Sequence, residues 1–131
     1  MNKSVVSNSE ISNISEVENF LDGLTQELML SDFVYGNVIV SVLEAFTNAV
    51  VHGNASDSSK LVKIEATVSA SNLKIAISDQ GKGFDYTNIP DPTVPENIEN
   101  IDGRGIFLMK KLADEVMFEN NGSTAILSFS I

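Results

Sequence analysis

Residues 38–54 constrain the fold more than any other stretch of this chain. Turned at about 100° per residue, Val38, Ile39, Val42, Leu43, Phe46, Ala49 and Val50 make one unbroken apolar arc, the mark of a helix pressed on a core. Glu44 stands on the opposite side, and Ser41, Asn48 and His52 share its stripe, because residues four apart lie above one another on a helix. Val40 and Val51 flank that stripe where a solvated face would carry lysines, so the stripe reads as the wall of a pocket. A Glu and an Asn at i and i+4 also occur on plain surface helices. Gly53-Asn54 is the expected stop.

A chain of 131 residues that is 43% hydrophobic is expected to form a single domain over 1–131 with a real core. It has no cysteine, which removes disulfides, thiolate metal sites and a cysteine nucleophile. No signal-peptide core follows Met1, and no stretch looks long enough to span a bilayer, so the expected setting is cytoplasmic, with no membrane partner. Eighteen acidic against eight basic residues leave a net charge of −10, which disfavours direct binding to nucleic acid. Any phosphate-bearing ligand would need backbone N–H groups, a cation and a few local positive charges.

In chain order, residues 3–7 predict a short strand. Ile14, Val17, Phe20, Leu21, Leu24 and Leu28 predict an amphipathic helix over 12–30, capped by Ser12 or Ser15. Ser31-Asp32 is expected to cap the helix already described. After a polar loop at 54–60, residues 61–68 and 73–78 alternate as the two strands of a hairpin. Residues 84–103 hold three prolines and no periodicity, the composition of a functional lid. Gly103-Arg104-Gly105 then precedes a helix marked by Ile106, Met109, Leu112 and Ala113, and two strands flank an Asn120-Asn121-Gly122 turn. The sum is an α+β fold, a two-layer sandwich of a mostly antiparallel sheet with helices on one face.

Two further stretches carry chemistry. Asp79 ends a strand and heads Asp79-x-Gly81-x-Gly83, whose glycines let backbone approach a flat ligand. As an acceptor only, its carboxylate suits the exocyclic amine of adenine and repels the guanine carbonyl. Gly103-Arg104-Gly105 opens a helix, and helix N-termini hold phosphate. Arg104, the only arginine, either reaches a phosphate oxygen or pairs with Asp102. There is no P-loop and no Gly-x-Gly-x-x-Gly pattern.

With these residues in this order, the sequence resembles the GHKL ATPase superfamily, the histidine kinase-like ATP-binding domains. Glu44-x-x-x-Asn48 matches the N box, Asp79-x-Gly81-x-Gly83 the first glycine box, and Gly103-x-Gly105-x-x-Leu108 the second. Residues 44–54 and the short length are more narrowly similar to the bacterial anti-sigma factor serine kinases. The resemblance implies ATP and Mg2+ as cofactors, the metal carried by Asn48 and the attacking hydroxyl oriented by Glu44. It implies nucleotide contacts from Asn48, Asp79, Gly81, Gly83, Gly103, Arg104, Gly105, Ile106 and, from a late strand, Thr124. The implied partners are a sigma factor, which is sequestered, and an anti-anti-sigma factor, phosphorylated on serine. The resemblance also suggests a homodimer. His52 is similar to a common family residue, but a lone His at a helix end is more often a capping or packing residue.

Two other functions compete. One is an ATP-binding partner-switching module without phosphoryl transfer, against which Glu44 argues. The other is a histidine-kinase catalytic domain, for which a His-bearing helical hairpin is wanting.

Overall fold

Antiparallel pairing joins five strands into one sheet in the order β1-β2-β3-β5-β4. These strands are β1 (Asn2–Asn8), β2 (Leu61–Ser69), β3 (Asn72–Ser78), β4 (Glu115–Glu119) and β5 (Thr124–Ser130). The helices are α1 (Ile14–Leu28), α2 (Asp32–Asn48) and α3 (Ile101–Leu112). The computed structural model describes residues 1–83 and 101–131, with the side chains of 101–104 left aside. The lid expected over 84–103 therefore lies outside the described residues, apart from its last three, which already belong to α3.

Alternation along the strands decides which face the helices cover. Val62, Ile64 and Ala66 of β2 and Leu73, Ile75 and Ile77 of β3 are buried, and the register sets Ile64 opposite Ile77 and Ile75 opposite Leu127, so these side chains share one face. The other face shows Lys63, Thr67 and Lys74 to solvent. α2 packs against α1, α3 and the sheet, with Val38, Val42, Phe46 and Val50 inside the core. α1 adds Val17, Leu21 and Leu24, and an ion pair between Lys3 and Glu27 ties it to β1. The two-layer α+β arrangement expected from the sequence is the one observed.

Local departures have local causes. α1 starts at Ile14 after a 3-10 turn over Ile11–Asn13, so neither Ser12 nor Ser15 caps it; the entry is held instead by the Asn13 side chain donating to the Asn8 carbonyl. Ser31 does cap α2, its hydroxyl accepting from the Val34 N–H at 3.2 Å. The helix expected over 38–54 is α only to Asn48 and continues as a π turn over Ala49–Gly53. Together Asp32–Gly53 runs 22 residues at a mean hydropathy of 1.5, so one stretch is in fact long and apolar enough to cross a bilayer by length and composition. Here it is the core helix. Ser41 leaves the stripe of Glu44: it is fully buried and its hydroxyl donates to the Asn37 carbonyl at 2.6 Å.

The two glycines expected to precede α3 lie within it, since its first turn opens at Ile101. The place of Gly105 in the helix is explained by what α3 packs on, described below.

Ser31→Ala removes the one capping acceptor at the start of α2. It should lower stability by about 1 kcal/mol. Urea unfolding that returns a wild-type midpoint would show that α2 does not depend on this cap.

Candidate functional site

A cleft opens between the C-terminal half of α2, the end of β3, α3 and the β4–β5 hairpin, with about 570 Å³ of space counted out to solvent. Its helix wall is built by Ala45, Asn48, Ala49, His52 and Gly53. The valines expected to edge the pocket, Val40 and Val51, point to solvent instead. Small residues make this wall because Ala45 and Ala49 leave room that valine would fill.

The π turn sets the far end of that wall. The Asn54 N–H bonds the Ala49 carbonyl, five residues back, at 2.8 Å, one residue wider than an α turn. Gly53 is thereby brought against the loop that follows β3. A Cβ on Gly81 would lie 1.8 Å from the Gly53 carbonyl oxygen, so only glycine allows these two backbones to touch.

Asp79 sits at that junction. Its N–H donates to the Ser123 carbonyl at 2.9 Å, and its Oδ1 accepts from the Gly81 N–H at 2.8 Å. The carboxylate lines the cleft. Burial pushes its pKa up from the ordinary aspartate value, against the Gly81 N–H and the charge of Lys60, which pull it down. Gly83 also lines the cleft, whereas Gly81 supports it from behind.

Opposite stands α3. A Cβ on Gly105 would come within 2.8 Å of Asn48 Nδ2 and 3.3 Å of both Asn48 Oδ1 and Glu44 Oε2. Glycine inside this helix is thus what lets α3 close over the polar end of α2. Glu44 and Asn48 converge on the Gly105 backbone, with Asn48 lining the cleft and Glu44 just outside its walls. Asn48 Oδ1 is buried and accepts no hydrogen bond among the described residues. A buried amide oxygen without a donor is costly unless a ligand supplies one. No group of three or more His, Cys, Asp or Glu able to hold a metal occurs among the described residues. A cation here would therefore rest on Asn48 Oδ1 and on oxygens of its ligand, a donor set that suits magnesium. Arg104 belongs to the first turns of α3, and its side chain, like those of 101–103, is left aside.

The floor is apolar: Ile77 from β3, Ala125 from β5, Phe118 from β4, and Ile106 and Met109 from α3. Of these only Ile106 was expected at the site. Strand alternation marks Ile77, Phe118 and Ala125 as facing the helices, and nothing local distinguishes a covered stretch of that face from an open one. Thr124 is not in the cleft. Register pairs it with Ser78, one residue off the Ile77–Ala125 pair that faces the helices, and its hydroxyl donates to Ser78 Oγ at 3.1 Å. Ser123, one residue earlier, lines the cleft in its place. A concave apolar slot with few polar groups at its ends fits a flat heterocycle.

Because the Asp79 pKa is raised on folding, the folded chain holds that proton more tightly than the unfolded chain does. The stability this contributes is complete below the ordinary aspartate value and is lost as pH rises through the raised one. Asp79→Asn keeps the acceptor for the Gly81 N–H and sheds the buried charge. It should therefore melt at or above the wild-type temperature at neutral pH, the gap closing as pH falls through the Asp79 pKa. A melting difference that does not change over a pH series would contradict this.

Residues 8–130 match the histidine kinase-like ATPase domain family. Over 93 residues, 65% of the chain, the sequence is 38% identical to the serine-protein kinase RsbW of Staphylococcus epidermidis, covering 58% of that protein. It is 36% identical over 93 residues to the protein of the same name from Staphylococcus aureus strain Newman, again over 58% of its length. The chain thus spans less than two thirds of the curated relatives it matches. The crystal structure of the RsbU and RsbW domains of Rv1364c from Mycobacterium tuberculosis superposes with a TM-score of 0.70 at 18% identity, over 99% of this chain and 32% of that one, and shares the fold. The family match runs through α2, the Asp79 loop and α3, the same elements that build the cleft, and on that ground the chain belongs to the histidine kinase-like ATPase domain family.

Proposed function

We propose that this protein is an ATP-dependent serine kinase that also acts as an anti-sigma factor, sequestering a sigma factor and phosphorylating a serine on an anti-anti-sigma antagonist. The observation that carries the reading is the convergence of Glu44 and Asn48 on the Gly105 backbone, with Asn48 lining the cleft and its buried Oδ1 accepting no hydrogen bond among the described residues. Similarity to proteins named as serine-protein kinases supports it. So does a net charge of −10, which favours protein partners over nucleic acid. A cytoplasmic setting and a homodimer belong to the same proposal.

In this reading the base lies on Ile77 and Ala125, and its exocyclic amine donates to the Asp79 carboxylate. Asn48 Oδ1 would hold a magnesium ion, which would neutralise phosphate charge. The phosphates lie toward the first turn of α3, since helix N-termini favour anions. Glu44 accepts the proton of the attacking serine hydroxyl. A bond forms between the serine oxygen and the γ-phosphorus, the bond from that phosphorus to the β,γ-bridging oxygen breaks, and ADP leaves with the electron pair. Positioning and charge stabilisation are most of what such a transfer asks of a protein.

The test of the reaction is to incubate the protein with labelled ATP, magnesium and a candidate antagonist and to look for label on a serine. Glu44→Gln should lower that transfer by about 10²- to 10⁴-fold while ATP affinity stays within a few-fold. Wild-type transfer by Glu44→Gln would leave a partner-switching module without kinase chemistry as the better account. For the metal, Asn48→Ala should weaken ATP binding mainly when magnesium is present. Calorimetry with and without a chelator decides it: wild-type affinity that ignores chelation would remove Asn48 from the metal role.

A further inference from the structure

Asn54 ends the π turn with 0% of its surface exposed, a costly place for a carboxamide whose polar atoms are unpaired. Both ends of the amide are used. Oδ1 accepts from the Gln80 N–H at 2.8 Å, and Nδ2 donates to the Leu61 carbonyl at 3.0 Å. The Gln80 side chain completes the circuit, its Oε1 accepting from the Leu61 N–H at 2.8 Å. Three segments are thereby closed into one ring: the end of the π turn, the first residue of β2 and, distant from both in sequence, the loop that follows β3.

Gln80 stands between Asp79 and Gly81, so what fixes its backbone also fixes the direction of the Asp79 carboxylate. From the other side the Asp79 N–H is held by the Ser123 carbonyl. Asn54 is buried and Gln80 is outside the cleft walls, so neither is placed to touch a ligand. We propose that Asn54 and the Gln80 side chain are positioning residues for base recognition, holding the Asp79-Gln80-Gly81 backbone against the π turn so that the carboxylate is aimed at the exocyclic amine of a purine. This rests on the reading of Asp79 given above. A directional hydrogen bond loses its selectivity when its acceptor is free to swing, which is why the support matters as much as the carboxylate.

The experiment compares ATP with purine riboside triphosphate, the same nucleotide lacking the exocyclic amine. Affinities are measured by calorimetry for wild type, Gln80→Ala, Asn54→Ala and Asp79→Asn, and for the first two substitutions combined with the third, with melting temperatures alongside. Gln80→Ala and Asn54→Ala should each lower ATP affinity about 2- to 10-fold, the worth of one neutral hydrogen bond, and leave the analogue nearly unchanged. In the Asp79→Asn background both effects should vanish, because the group they position is gone. Gln80 is exposed, so Gln80→Ala decides the matter if Asn54→Ala does not fold. A lowered melting temperature with a wild-type ratio of ATP to analogue affinity would make the ring structural only and overturn the proposal. If Asp79→Asn itself leaves that ratio unchanged, it is the adenine reading that fails, and the positioning role falls with it.

Discussion

How near α3 can come to α2 governs the whole cleft. At Gly105 α3 brings no side chain of its own to the contact, since a Cβ there would press on the Asn48 amide and the Glu44 carboxylate of α2. The approach is possible because α2 is itself anchored, with Val42 and Phe46 fully buried against the sheet. Close-packed interiors transmit such constraints over several residues. Anything bulkier at Gly105 would push α3 outward, and with it Ile106 and Met109, two of the side chains that make the cleft floor.

Several polar groups away from the cleft are satisfied within the chain, although Ser9 Oγ, Thr25 Oγ1 and Asn72 Oδ1 are buried without a partner among the described residues. Ser31 caps a helix, Asn54 uses both ends of its amide, and Ser41 bonds its own helix. In the cleft, Asn48 Oδ1 has no donor among the described residues and the Asp79 carboxylate is partly desolvated. Both are unfavourable in the ligand-free chain and both are relieved by a ligand that donates a hydrogen bond or brings a cation. Two destabilised groups gathered in one cleft are what a binding site requires of its scaffold.

The π turn and the glycines serve a common end. Widening α2 by one residue after Asn48 carries Gly53 to the Gly81 backbone, and the Asp79 carboxylate is seated where these two segments touch. The helix that supplies Glu44 and Asn48 at one end of the cleft thus also seats the acceptor at its other end. A ligand spanning the two would be read at both ends by elements fixed to one helix.

Local patterns in the sequence determined much of this. The apolar arc of α2, the alternation of β2 and β3, the Asn120-Asn121-Gly122 turn and the Ser31 cap each depend on neighbours within a few residues, and each is found where expected. Glu44, Asn48 and Asp79 were legible for the same reason, being polar groups set against periodic apolar ones. What the sequence did not disclose depends on distant contacts. The π turn differs from an α turn by a single hydrogen-bond step, and what accompanies it is the meeting of Gly53 with Gly81 across 28 residues. Gly103 and Gly105 look like a break before a helix, because glycine weakens helices in general; both lie inside one, where Gly105 packs against Asn48. Thr124 and Ser123 differ by one residue, and only strand register decides which of them reaches the cleft. Ile77, Phe118 and Ala125 read as core from alternation alone, and that they also line a cleft is settled by how the layers pack.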